Sequence, residues 1–68
     1  MRIVEQVFRV PQRMEVITTQ YDTAQLFQVF VKGRLQDPGT YRVGDGCVDF
    51  GYDCLNPGDV VQLFYLVP

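Results

Sequence analysis

Val60-Val61-Gln62-Leu63-Phe64-Tyr65-Leu66-Val67, the last strand-like run of the chain, is apolar on both faces that a period of two creates. Val61, Leu63, Tyr65 and Val67 fall on one side; Val60, Phe64 and Leu66 fall on the other, where only Gln62 is polar. The β-branched and aromatic content marks a strand. Gln25 to Lys32 repeats the pattern, with Phe27, Val29 and Val31 opposite Leu26, Gln28 and Phe30. A chain of 68 residues can cover one such face with its own core but has little left to cover the other. Two readings follow. Either both strands are central and the first two strands fold over one side, or Leu26, Phe30, Val60, Phe64 and Leu66 form an outward patch that packs on a partner or on copies of the chain. Each side chain so buried contributes roughly 1.5 to 3 kcal/mol, enough together to support association.

Outward from these two runs the period stays close to two, and no window carries a helical i, i+3, i+4, i+7 stripe. Ile3 to Val10 reads as a first strand ended by Pro11, and Met14 to Thr19 as a second. Turn chemistry divides the remainder. Gly33 ends the third strand; Asp37-Pro38-Gly39 predicts a type II turn with Gly39 at positive φ; Gly44-Asp45-Gly46 joins a hairpin of 41–43 with 47–50; Asn56-Pro57-Gly58-Asp59 releases the last strand. The expectation is a single all-β domain over residues 1–68, a small antiparallel β-sandwich or partly open barrel of about six strands, with one helical turn at most.

The inventory removes whole classes of chemistry. No His, Ser or Trp occurs, which excludes Ser-His and Cys-His nucleophile pairs and imidazole metal clusters. Asp45, Asp49, Asp53 and Asp59 lack the spacing of a calcium loop and read as solvated turn carboxylates. No glycine belongs to a phosphate-binding loop pattern. The chain is therefore expected to be no enzyme and to need no cofactor or metal. Residues 1–36 carry Arg2, Arg9, Arg13, Lys32 and Arg34 against Glu5, Glu15 and Asp22, a balance of +2; residues 37–68 carry Arg42 against Asp37, Asp45, Asp49, Asp53 and Asp59, a balance of -4. Opposite-signed halves suit folding back or head-to-tail docking, whereas scattered cations in an acidic chain disfavour nucleic acid.

No apolar run approaches the about 20 residues of a membrane span. Arg2, Glu5, Gln6 and Arg9 break up the first ten positions, so no secretory leader is expected and the chain is expected to act where it is made. On that expectation Cys47 and Cys54 are read as reduced thiols, with a disulfide between them or between subunits as the alternative.

The stretch from Val29-Phe30-Val31-Lys32-Gly33 through Leu35-Gln36-Asp37-Pro38-Gly39-Thr40-Tyr41, with Cys47-Val48-Asp49-Phe50 and Pro57-Gly58-Asp59-Val60-Val61-Gln62-Leu63-Phe64-Tyr65, resembles a module of tailed-bacteriophage virion proteins. It covers a little over half the chain and leaves the first 25 residues outside. Lys32 stands where that module usually has Asn, and Cys54-Leu55 where a small residue and Pro are common. The resemblance implies turns at Gly33, Pro38-Gly39 and Gly58-Asp59, and inward Val48, Phe50, Val61, Leu63 and Tyr65. It also implies a structural role in the virion: a capsid decoration (cement) protein or a small tail or fibre-attachment protein, made in the host cytoplasm and present in many copies or as a homo-oligomer. Its partners would be other virion proteins, not nucleic acid or membrane. The alternative is a free-standing cytosolic phage-encoded regulator that binds one peptide or protein by strand addition.

Overall fold

The computed structural model describes residues 1–51 and 55–68. Its strands are β1 (Arg2–Arg9), β2 (Val16–Thr18), β3 (Leu26–Val31), β4 (Arg34–Leu35), β5 (Arg42–Gly44), β6 (Cys47–Asp49) and β7 (Val60–Val67). They form two antiparallel sheets, one in the order β1-β7-β3-β4 and one in the order β2-β6-β5. The all-β expectation holds. The doubly apolar β7 sits inside the four-stranded sheet between β1 and β3, where strongly β-prone residues gain from neighbours on both sides. Among the described residues no helix is long and apolar enough to cross a membrane.

The two sheets share one folded ladder. Val10 N donates to Asp59 O (2.9 Å), Gly58 N donates to Val10 O (2.8 Å), Met14 and Leu55 bridge, and Phe50 N donates to Glu15 O (2.7 Å). Thus the β1–β2 connection, bonded to Phe50, Leu55, Gly58 and Asp59, bends from one sheet into the other. The bend encloses the core: Val10, Ile17, Val29, Val48, Phe50, Leu55, Val61, Leu63, Tyr65 and Val67. All four residues of the inward β7 set are buried, so burial follows the period of two along the strand.

One buried polar side chain ties this core to the β2–β3 connection. Gln6, 5% exposed, donates from Nε2 to Thr18 O (3.1 Å), and its Oε1 accepts from Gln20 N (3.1 Å) and from the Tyr65 hydroxyl. Both the nitrogen and the oxygen of the buried amide thus have partners within the fold. Tyr21 stacks on Tyr65 from outside, with centroids 5.1 Å apart. Burial, aided by neighbouring Tyr21, pushes the Tyr65 phenol above its ordinary value against the lowering effect of the Gln20 backbone.

Three expectations are corrected. First, β3 pairs Leu26 with Tyr65 but Gln28 with Phe64, which leaves Phe27 as the extra residue of a bulge. The bulge inverts the faces on its N-terminal side: Leu26 packs against the core and Phe27 is 45% exposed. Leu26 therefore does not belong to the outward patch. Second, Gly39 is not at positive φ. Asp37 caps a 3-10 turn over Pro38–Thr40, accepting from Gly39 N (3.1 Å), while Thr40 N donates to Asp37 O (2.8 Å). Proline at the first position of the turn, preceded by an N-cap aspartate, favours this geometry over type II. Third, the helical content is two turns, because Asp22 caps a second 3-10 turn at Thr23–Gln25 in the same way.

The other turns follow their chemistry. Gly58 takes φ +89 after Pro57, Asp59 N donates to Asn56 O (3.1 Å), and the Asp59 carboxylate accepts from Asn56 N (2.9 Å). Between β3 and β4, Lys32 (φ 55) and Gly33 (φ 76) form a two-residue hairpin connection with both residues left-handed.

Candidate interaction site

The outward face of the four-stranded sheet can be read row by row from the strand register. Ile3 stands beside Leu66; Glu5 beside Phe64 and then Gln28; Val7 beside Gln62, Phe30 and Leu35; Arg9 beside Val60. Each row contributes apolar surface that the described residues leave exposed or half-buried. Ile3, Val7 and Leu35 are 60–63% exposed, and Leu66 is 39% exposed. Phe30 and Phe64 are half-buried because they cover each other, edge to face, with centroids 5.5 Å apart. Val60 is half-buried at the end of the strip, where Lys32 N donates to its carbonyl (2.9 Å).

Polar groups occupy the same surface in a fixed arrangement. Gln62, the one polar residue of β7, donates from Nε2 to Glu5 Oε2 (2.8 Å) across the β1–β7 pair. Arg9 lies further along the same side of β1 and is exposed. Lys32 reaches Asp59 at 3.8 Å, a long contact between an exposed ammonium and a largely buried carboxylate. The face is thus an apolar sheet surface crossed by one hydrogen-bonded polar pair.

Of the five residues expected to form the patch, Phe30, Val60, Phe64 and Leu66 share this face, and Leu26 lies on the other. Sequence reasoning missed Ile3, Val7 and Leu35. The signal for the first two was present, because Ile3-Val4 and Val7-Phe8 repeat the two-sided apolar pattern of β7. Leu35 became visible only with the Lys32-Gly33 turn, which lays β4 beside Phe30.

No match was found among protein-family models, curated proteins or solved structures.

The remaining features of the surface offer less. A cleft of about 620 Å³ lies between Glu15, Tyr41, Arg42, Asp49 and Phe50, where the Tyr41 and Phe50 rings approach to 6.0 Å. Burial first, and Asp37 second, push the Tyr41 phenol upward, so it stays protonated and can only donate or accept a hydrogen bond near neutral pH. The Asp49 carboxylate is already engaged by Gly51 N (2.8 Å). Among the described residues no three His, Cys, Asp or Glu side chains come together to hold a metal ion. Cys47 carries a free, half-buried thiol. Cys54, its expected partner in the alternative reading, and Asp53 lie outside the described residues.

Proposed function

We propose that this chain is a structural protein of a phage virion, a capsid decoration or small tail or fibre-attachment protein, acting through protein–protein contacts and not by catalysis. The observation that carries the reading is the uncovered apolar face of the four-stranded sheet, where Ile3, Val7 and Leu35 stand open beside the Phe30–Phe64 pair. A monomer rarely leaves so much of one sheet face apolar without a use for it. The resemblance of residues 29–65 to a phage virion module supplies the setting.

The physical mechanism is burial of that face against a capsid or tail protein. Apolar area removed from water drives the contact, and the exposed Glu5 and Arg9 charges bias its register, because a misaligned partner would bury them against apolar surface or like charge. On a symmetric particle many weak copies of the same contact accumulate into reinforcement. Mass spectrometry of purified particles tests this. The chain is expected among the particle proteins; its recovery only from the soluble host fraction would overturn the reading.

A second reading, a cytosolic phage-encoded regulator that captures one peptide, draws on the outer edge of β1, which among the described residues has a strand neighbour on one side only. Absence from particles together with stoichiometric binding of one soluble partner would favour it.

A further inference from the structure

Among the described residues β1 has a strand neighbour on one side only. Val10 N and O both bond toward the β7 side, to Asp59 O and from Gly58 N. Backbone groups alternate along an extended strand, so Phe8, Gln6 and Val4 turn theirs toward β7 as well, while Ile3, Glu5, Val7 and Arg9 turn theirs outward. The same conclusion follows from the other side of the sheet. Val60 accepts from Lys32 N and so turns its backbone to β3, which leaves Arg9, directly opposite Val60, facing the open edge. Four successive outward N–H and C=O pairs thus lie along an eight-residue strand at the end of a sheet.

We infer that two copies of this chain join β1 to β1 antiparallel about a two-fold axis through Val7, with Glu5 of each copy facing Arg9 of the other. The occupant is fixed by charge. Charged residues on an edge strand normally keep it from pairing. Here one register converts them into two symmetric ion pairs, since Glu5 and Arg9 are both exposed, both on the outward face and placed equally on either side of Val7. Sliding the second copy until Glu5 faces Glu5 sets like charges together, and the register between sets Glu5 against Val7 and Arg9 against Ile3. Only the register centred on Val7 sets opposite charges face to face; it bonds the outward backbone groups of Glu5, Val7 and Arg9 across the axis and leaves Ile3 opposite Pro11, beyond the end of β1. Val7, 60% exposed in one chain, would then be covered by its counterpart.

The product is a continuous eight-stranded sheet whose two apolar faces merge into one surface. This inference does not depend on the virion reading: its contact is the backbone edge of β1, although the Glu5, Val7 and Arg9 side chains there also belong to the outward face.

Sedimentation velocity on the full chain, over micromolar to about 1 mM concentrations, tests it. The wild type is expected at twice the monomer mass. Val7→Pro removes an N–H that no β7 group uses and should give a folded monomer, checked by far-UV circular dichroism. Glu5→Arg or Arg9→Glu alone should weaken the dimer by about tenfold or more, and the two together should restore it, because the pairs re-form with signs exchanged. A wild type that stays monomeric throughout overturns the inference, as does a dimer indifferent to both single charge reversals. So does a dimer lost in Phe64→Asp but kept in Val7→Pro, which would assign the contact to the sheet face instead.

Discussion

Phe30 and Phe64 meet edge to face on the outward surface of the sheet, at an interplanar angle of 76°. They sit diagonally across the β3–β7 pair, Phe30 opposite Gln62 and Phe64 opposite Gln28. The pair shields part of each ring without moving either into the core, so β7 is a strand whose neighbouring residues have opposite tasks: Leu63 holds the fold and Phe64 faces outward.

Phe64→Asp and Leu63→Asp should therefore separate cleanly. Leu63 is fully buried, and a carboxylate there has no partner, so Leu63→Asp should leave the chain unfolded at room temperature. Phe64→Asp loses the ring contact, about 1 kcal/mol beyond its area, and stays folded. Thermal unfolding followed by circular dichroism distinguishes the two; unfolding of both would remove Phe64 from the outward face.

Lys32 occupies a left-handed backbone conformation at φ 55, in the first position of a two-residue hairpin where Asn is the favoured residue. Lys32→Asn should stabilise the chain by about 0.5 to 1 kcal/mol, because the contact to Asp59 that it removes is long, at 3.8 Å, and its ammonium end is solvated. The shift in urea midpoint reads this directly. A destabilised variant would mean that the Lys32–Asp59 pair outweighs the backbone preference.

The two proline-glycine turns should respond oppositely to alanine. Gly58 is at φ +89, so Gly58→Ala should cost about 1 to 2 kcal/mol. Gly39 sits in a 3-10 turn at ordinary φ, with space for a Cβ at 3.7 Å from the Asp37 side chain, and Gly39→Ala should be nearly neutral. Equal losses in denaturant unfolding would contradict the difference between the turns.

Alkaline stability should depend on Tyr65. Its phenol is held above the ordinary value of 10.0 by burial. Below that pH the residue is neutral in both folded and unfolded chains and contributes no slope. Above it the unfolded chain ionises first, so stability falls as pH rises until the raised folded value is reached, at no more than about 1.4 kcal/mol per pH unit for this group. Tyr65→Phe should cost about 1 kcal/mol at neutral pH through loss of the bond to Gln6, and should make the alkaline fall shallower. Parallel pH profiles for wild type and Tyr65→Phe would contradict this.

Much of the fold was legible because the code involved is local. The inward set of β7 follows from a strict period of two, and the turn at Asn56–Asp59 follows from Pro followed by Gly. What was not legible depends on partners. Nothing in Leu26-Phe27-Gln28 marks a bulge; it exists because β3 must match β7 on both sides of it, and it decides that Leu26 faces the core. Asp37-Pro38-Gly39 fits two kinds of turn, and the capping bond from Asp37 selects between them. β4 escaped notice because Lys is an uncommon residue in a left-handed hairpin turn. The excess of apolar residues was countable in advance, but membership of the outward face required the strand order, which brings Ile3 and Val7 beside Leu66 and Gln62.

The most direct measurement compares wild type and Phe64→Asp by quantitative mass spectrometry of purified phage particles, after circular dichroism has established that both chains fold. The account predicts wild type present in multiple copies and the variant depleted by at least about tenfold, the loss expected when a central aromatic contact is replaced by a charge. Equal incorporation of the two chains would contradict it.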